Sequence, residues 1–372
     1  MSLFSNFKKV KKTAAIFFSD ISGFLKPQRV LGIDIGTSSI KLVEIYKKSE
    51  KMRLENYGLL ETKNYLKRPN EIIQASGLKI SVRETVALLK TLLEKVKPKT
   101  KTAVASLPLF SVFITFFDLP LLSLRETVAA ISFHARQFIP LPPSEVSLDW
   151  LKVDEFENEK GIHFQRVILI GIPKEIVRTY QQIFKEAGLK LAALEIESLA
   201  LLRAVMSHNS LTFIVDLGAV STNFIISQKS VLRYSGQSDY GGAFLTQAVA
   251  RSLEIDPWRA EELKRRTGLL ATAGESELSS LICPFLDVII GEARRVKDTY
   301  EKTSGRKVER LMLLGGGANM PGIEKYFSSQ LELVAVKPFT FSGLEYPQEI
   351  EPMVKELNNI LAVAIGLAKR KI

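Results

Sequence analysis

Apolar residues recur along the chain with two periods, and the switches between them outline an alternation of strands and helices. Val30 to Ile35 is a short apolar strand, Gly36 to Ser39 a turn, and Ile40 to Tyr46 a returning strand, with a third over Met52 to Leu60. Ser81-Val82-Arg83-Glu84 is a capping box opening a helix whose apolar face carries Val86, Leu89, Leu92, Leu93 and Val96, and Pro98 ends it. Strands are predicted at Lys101 to Leu107 and Val112 to Leu119, and a second capping box, Ser123-Leu124-Arg125-Glu126, starts a helix to about Phe138. Strands over Val146 to Val153 and His163 to Gly171, then a helix from Lys174 to Ala187 stopped by Gly188, complete a ββαββα unit over 103–188.

The pattern then restarts. Strand character returns at Leu191, a short helix follows Ser198, and the apolar strand Phe213 to Leu217 ends in Gly218. Helical periodicity marks Gly242 to Leu253, Pro257 to Arg266 and Ser276 to about Tyr300. Arg310 to Leu314 is a strand running into Gly315-Gly316-Gly317, which leads to a helix with Pro321 near its first turn. A single helix is predicted over Glu351 to Lys371.

Composition narrows the chemistry. The 372 residues are 46% hydrophobic, enough to bury the cores of about two to three domains and too apolar for a disordered chain. Lys and Arg exceed Asp and Glu, 51 to 40, and the formal charge of +11 favours phosphates, nucleic acid or anionic lipid. No nucleic-acid-binding motif accompanies the charge, so nucleic acid is not the expected partner. One cysteine, Cys283, excludes a disulfide framework and a cysteine zinc site, and three histidines leave little for a His-rich metal cage. A reducing, cytoplasmic setting fits. No apolar run approaches the roughly 20 residues that span a bilayer. Residues 1–28 carry Lys8, Lys9, Lys11, Lys12 and Lys26 among Ile16, Phe17, Phe18, Ile21, Phe24 and Leu25, without a small-residue cleavage site. This segment is either a helix lying on anionic lipid or a solvated tail.

Two segments repeat a chemical idea. Asp34-Ile35-Gly36-Thr37-Ser38-Ser39 and Asp216-Leu217-Gly218-Ala219-Val220-Ser221-Thr222 each follow an apolar strand. Glycine lets backbone N–H groups approach an oxyanion, and the hydroxyls add donors. An aspartate in front of such a turn would repel phosphate, so its sensible task is to hold magnesium or its water shell. Each Asp-x-Gly alone is an ordinary β-turn; the duplication argues for two hairpins gripping one polyphosphate. The glycines at 315–317 allow the backbone to lie against a flat base. No G-x-x-x-x-G-K-[ST] and no G-x-G-x-x-G after the first strand are present, which sets aside Walker-type and dinucleotide sites.

The ordered set of Asp34 hairpin, Asp216 hairpin and Gly315 loop resembles the phosphate 1, phosphate 2 and adenosine motifs of the actin, Hsp70 and sugar kinase superfamily. More narrowly, Gly32-Ile33-Asp34-Ile35-Gly36-Thr37-Ser38-Ser39-Ile40-Lys41-Leu42-Val43-Glu44 resembles the opening of the PilM family of type IV pilus assembly. Phe117-Asp118-Leu119-Pro120, Gln137-Phe138-Ile139-Pro140, Tyr240-Gly241-Gly242 and Ala260-Glu261-Glu262-Leu263-Lys264 are similar to that family as well. The resemblance implies an α/β, actin-like (ribonuclease H-like) two-lobed ATPase fold with an inserted subdomain shared with the cell-division protein FtsA. It divides the chain into a basic tail, 1–28, the first part of lobe 1, 29–102, the insertion, 103–188, and lobe 2, 189–372, whose last helix returns toward lobe 1.

It also implies ATP and Mg2+ as cofactors. Asp34 and Asp216 would hold the magnesium through water, while Gly36, Thr37, Ser38, Ser39, Gly218, Ser221 and Thr222 would donate to phosphate oxygens. Lys41 would reach the phosphates, or else be a solvent-facing strand residue. Gly241, Gly242, Glu261 and Lys264 would lie near ribose and base, with Gly315, Gly316 and Gly317 beneath the base; Glu261 and Lys264 also suit an ordinary exposed helix pair. Glu197 would orient the attacking water, or simply complement a helix dipole. Slow or absent turnover is expected. The implied partner is the N-terminal cytoplasmic tail of PilN, and through it the inner-membrane PilN/PilO platform and the pilus motor, with self-association also open. An FtsA-like polymerising protein tethered to the membrane and a small-molecule kinase of the same superfamily are the alternatives.

Overall fold

Alternating apolar residues build three sheets, which the computed structural model describes over residues 28–62, 82–205, 208–270 and 276–371. The basic segment 1–27 and Ser81, the cap expected for the first helix, lie outside the described residues.

The first sheet opens with β1 (Gln28–Ile35), β2 (Ser39–Lys48) and β3 (Lys51–Glu61), an antiparallel meander in which Asp34 lies opposite Lys41. Helix α1 (Val82–Val96) packs Val86, Leu89 and Leu92 inward and leads to β4 (Thr102–Leu107). A second, three-stranded sheet contains β5 (Phe113–Pro120), β6 (Val146–Glu157) and β7 (His163–Pro173), in the order β5-β7-β6. Helix α2 (Leu124–Phe138) covers it and carries the expected capping box: Ser123 accepts from the Glu126 backbone and Glu126 reaches back to the Ser123 N–H. Alternation along β7 serves two cores, Val167 and Leu169 facing the α2 side, Ile168, Ile170 and Ile172 joining the main core.

The unit expected over 103–188 differs in one respect. β4 belongs to the first sheet, between β1 and β8 (Lys190–Ile196), in parallel with both, so the three-stranded sheet begins only at β5. Helix α3 (Lys174–Glu186) returns the chain to β8 by way of Gly188, whose φ is +78°.

Helix α4 (Glu197–Ala204) leads into the third sheet, formed by β9 (Thr212–Leu217), β10 (Thr222–Gln228), β11 (Val231–Ser238), β12 (Arg310–Leu314) and β13 (Val334–Ala335), in the order β11-β10-β9-β12-β13. One face is covered by α5 (Gly242–Ser252), α7 (Ser276–Ser304) and α8 (Ile323–Leu331), with α6 (Pro257–Thr267) against α5. The short β14 (Leu344–Glu345) pairs with β3 and completes the first sheet.

The single helix expected over Glu351 to Lys371 is two, α9 (Glu351–Ile360) and α10 (Ala362–Ala368). The Asn359 carbonyl accepts the Gly315 N–H, and the helix is interrupted at Leu361. All seven residues of α10 are buried between β1, β2, β4 and α4. Gly32 and Gly366 permit this: a Cβ on Gly32 would collide with the Ala364 carbonyl, and one on Gly366 with that of Ala200. The ion pair of Asp154 on β6 with Arg233 on β11 ties the second sheet to the third.

Candidate functional site

The ends of β1, β4, β8, β9 and β12 converge on one cleft. Gly36 N–H bonds to Ser39 O at 3.0 Å and Gly218 N–H to Ser221 O at 3.0 Å, so both predicted hairpins form the same tight turn. The two turns face one cavity of about 540 Å3, within the usual range for small-molecule sites. Asp34, Gly36, Thr37, Ser38, Ser39, Lys41, Glu197, Asp216, Gly218, Ser221, Gly242, Glu261, Lys264, Gly315, Gly316 and Gly317 all line it.

Two predicted residues are not on the wall. The Thr222 hydroxyl donates to the Tyr240 carbonyl at 2.7 Å and is fully buried, because alternation along β10 sends it to the face opposite Asn223. Gly241 packs against hairpin 2, where a Cβ would stand 2.8 Å from Gly218 O and Ser221 N. These two shape the second hairpin rather than offering it donors.

The floor is a set of mutually held charges. Asp34 accepts from Lys41 Nζ at 2.8 Å and from Ser106 Oγ at 2.7 Å, so both of its oxygens are fixed. Burial opposes the charge on Lys41, but Asp34, Asp216 and Glu197 outweigh it and raise the lysine's pKa. Asn223 Nδ2 donates to Glu197 Oε2 at 2.8 Å and to Asp216 Oδ2 at 3.1 Å, bridging two carboxylates. Burial, then the charges of Asp34 and Asp216, push the Glu197 carboxyl up to about 8. Burial also raises Asp216.

The carboxylates of Asp34 and Asp216 against one lysine, with Glu197 largely neutral beside them, make a floor that attracts a cation and repels a bare polyphosphate. Asn223 Oδ1 is buried without a hydrogen-bond partner among the described residues. An orphan acceptor beside the Asp34 and Asp216 carboxylates suits a hydrated divalent cation, whose waters donate in several directions.

The far wall belongs to the glycines. Gly315 has φ +82°, and a Cβ there would come within 2.6 Å of Asp216 Oδ1 and 2.5 Å of Leu217 O. Instead of entering a helix directly, the chain makes a single tight turn over Gly316–Asn319 before α8. Asn359 Nδ2 donates to Asn319 Oδ1 at 2.8 Å, locking α9 to this loop and placing Lys355 and Glu356 at the rim. Lys264 Nζ is already engaged by Gly242 O, Thr246 Oγ1 and Glu261 Oε2, at 2.9, 2.7 and 2.6 Å. Glu261 and Lys264 thus brace α5 against α6 behind the cleft as well as lining it.

Sequence reasoning missed Ser106, Asn223, Asn319 and Lys355. Asn223 was within reach: once Gly218 and Ser221 close the turn, Asp216 must lie opposite residue 223. Ser106 needed the parallel register of β1 and β4, which no local pattern reveals.

A family model described as type IV pilus assembly protein PilM matches residues 32–372. The chain belongs to that family. Among solved structures, a PilM–PilN type IV pilus biogenesis complex matches this PilM-family chain with a TM-score of 0.78 at 23% identity, over 91% of this chain and 97% of that one. MreB5 of Spiroplasma citri bound to AMPPNP matches with a TM-score of 0.52 at 12% identity, over 91% and 94%. The fold is therefore actin-like and two-lobed. Cell division protein FtsA of Enterococcus hirae is 24% identical over 216 residues, 50% of this chain and 48% of FtsA; the chain matches about half the length of that curated relative. Among the described residues no helix is long and apolar enough to cross a membrane.

Proposed function

We propose that this chain is an ATP-binding switch of type IV pilus assembly that captures the N-terminal cytoplasmic tail of PilN. Through that tail it would link the inner-membrane PilN/PilO platform to the motor. The observation that carries the nucleotide half is the pair of Asp-x-Gly hairpins facing each other across one cleft, with Lys41 between their aspartates. With the Gly36 and Gly218 N–H groups closing the turns, the backbone N–H groups between Gly36 and Ser39 and between Gly218 and Ser221, and the hydroxyls of Thr37, Ser38, Ser39 and Ser221, serve the phosphates. Asp34, Asp216 and the orphan Asn223 Oδ1 hold the water shell of Mg2+, which when bound neutralises the phosphate charge that the floor would otherwise repel. Family membership and the likeness to a PilM–PilN complex support the partner half.

Turnover is slow on this reading. Glu197 would be the group that takes a proton from water, and its burial among carboxylates keeps it largely protonated near neutral pH. Residues 1–28 add a peripheral membrane contact, which liposome flotation of full-length and truncated chains would test.

The deciding experiment titrates a fluorescent peptide of the PilN tail from the same organism with this protein, with and without Mg-ATP. Saturable binding that changes with nucleotide, by about 5- to 150-fold for a typical coupling, is expected. Equal binding in both conditions would leave a scaffold without a switch. No peptide binding by protein that still takes up ATP would remove the tail-capture reading and turn attention to filament pelleting.

A further inference from the structure

The two hairpins are joined over the mouth of the cleft by a chain of polar contacts. Glu61, the last residue of β3, lies opposite Ser39, and the next residue, Thr62, donates its N–H to Ser38 O at 2.8 Å and its hydroxyl to Thr37 O at 3.3 Å. Glu61 therefore moves with hairpin 1. From the other lobe, Arg265 on α6 donates Nε to Glu261 Oε1 at 2.7 Å. Glu261 is bound by Lys264, Lys264 by Gly242 O, and Gly242 donates its N–H to Gly218 O at 2.9 Å. Arg265 therefore moves with hairpin 2. Between them runs one inter-lobe ion pair, Arg265 Nη1 to Glu61 Oε1, at 3.0 Å.

We propose that the Glu61–Arg265 pair is a latch that holds the cleft mouth shut and sets the rate at which nucleotide leaves. The proposal rests on the reading of the cleft as an ATP site. Both residues line the cavity and both side chains are about half exposed, 43% and 56%, which places them at its solvent rim. Half-exposed pairs are weak and break readily, as a latch must. Its guanidinium is pre-aimed by Glu261, so closing the latch orders only the Glu61 side chain. Opening it leaves the Asp154–Arg233 tie intact, since that pair lies on different elements and is far less exposed on its arginine. The lobes would thus hinge at the mouth without separating.

The test uses the full chain and a fluorescent ATP analogue with Mg2+, followed by stopped-flow displacement. Glu61→Gln is expected to speed dissociation about two- to fivefold, the range for an exposed pair. Raising salt to about half molar should speed the wild type toward the variant and leave the variant little changed, because salt screens the pair. In an Arg265→Gln background, Glu61→Gln should have no further effect. A dissociation rate unmoved by Glu61→Gln overturns the latch. Hydrogen exchange of the nucleotide-free protein separates the two ideas: faster exchange over residues 36–62 in Glu61→Gln supports an inter-lobe clasp, and unchanged exchange overturns it. Should the wild type bind no nucleotide, the ATP reading fails and the exchange result still decides the clasp.

Discussion

At Asp34 both carboxylate oxygens are spoken for, one by Lys41 across the hairpin and one by Ser106 on the neighbouring strand. A hydrogen bond to a charged group contributes about 1.5–3 kcal/mol, so Ser106→Ala should weaken Mg-ATP binding about tenfold or more in calorimetric titration. Wild-type affinity in that variant would show that Asp34 needs no second anchor. The contrast between Thr222 and Asn223 shows what was legible at this scale. A hydroxyl after a glycine reads as a phosphate donor, but strand alternation turns Thr222 inward and gives the cleft Asn223. Away from the cleft, burial pushes the Asp149 carboxyl up to about 7, although the Trp150 N–H and Arg370 pull the other way. Between about pH 4 and 7 the folded chain then holds a proton there that the unfolded chain has lost, so this group's contribution to stability falls as pH rises through that window. Asp149→Asn should therefore gain about 1–3 kcal/mol over the wild type near pH 8 and little near pH 4, measured by urea unfolding at both.

At the scale of elements, glycines separate structural necessity from mere tolerance. Gly366 lets α10 lie against α4, and any Cβ would press into the Ala200 carbonyl, backbone that has nowhere to move. Gly366→Ala should cost about 3 kcal/mol or more, the upper range for overpacking, and lower the unfolding midpoint accordingly. Gly291 sits in the exposed interior of α7 with nothing near its missing Cβ, so Gly291→Ala should instead stabilise by about 0.5–1 kcal/mol. Opposite signs for two Gly→Ala changes in helices would be hard to obtain from helix propensity alone. Most elements were readable because apolar period and turn residues agree, as in β1, α2 with its capping box, and β12. The break at Leu361 was not, since no glycine or proline marks it; the interruption goes with the diversion of the Asn359 carbonyl to Gly315, a contact 44 residues away in sequence. β4 was misplaced for a related reason, because chain order cannot say which sheet a strand joins.

For the whole molecule the governing fact is the mismatch between a basic chain and an acidic cleft floor. The formal charge of +11 draws anions toward the protein, whereas the carboxylates of Asp34 and Asp216 outnumber Lys41 where the phosphates would rest. A polyphosphate entering alone gains from the hairpin N–H groups and loses to the two buried carboxylates of Asp34 and Asp216. With Mg2+ the sign of the second contribution reverses, so cation and nucleotide should bind as a unit. Ligand that binds only the folded chain stabilises it by about 2.7 kcal/mol at 100 times its Kd, enough to raise the melting temperature by a few degrees. Mg2+ and ATP together should therefore raise Tm, while ATP with a chelator, or Mg2+ alone at the same concentration, should shift it far less. Asp216→Asn removes one of the repelling carboxylates and one of the two proposed anchors of the cation's water shell, so it should shrink the Mg-ATP shift while leaving, or slightly enlarging, the shift with ATP alone. Equal loss of both shifts would mean that Asp216 shapes the hairpin and does not act through the cation.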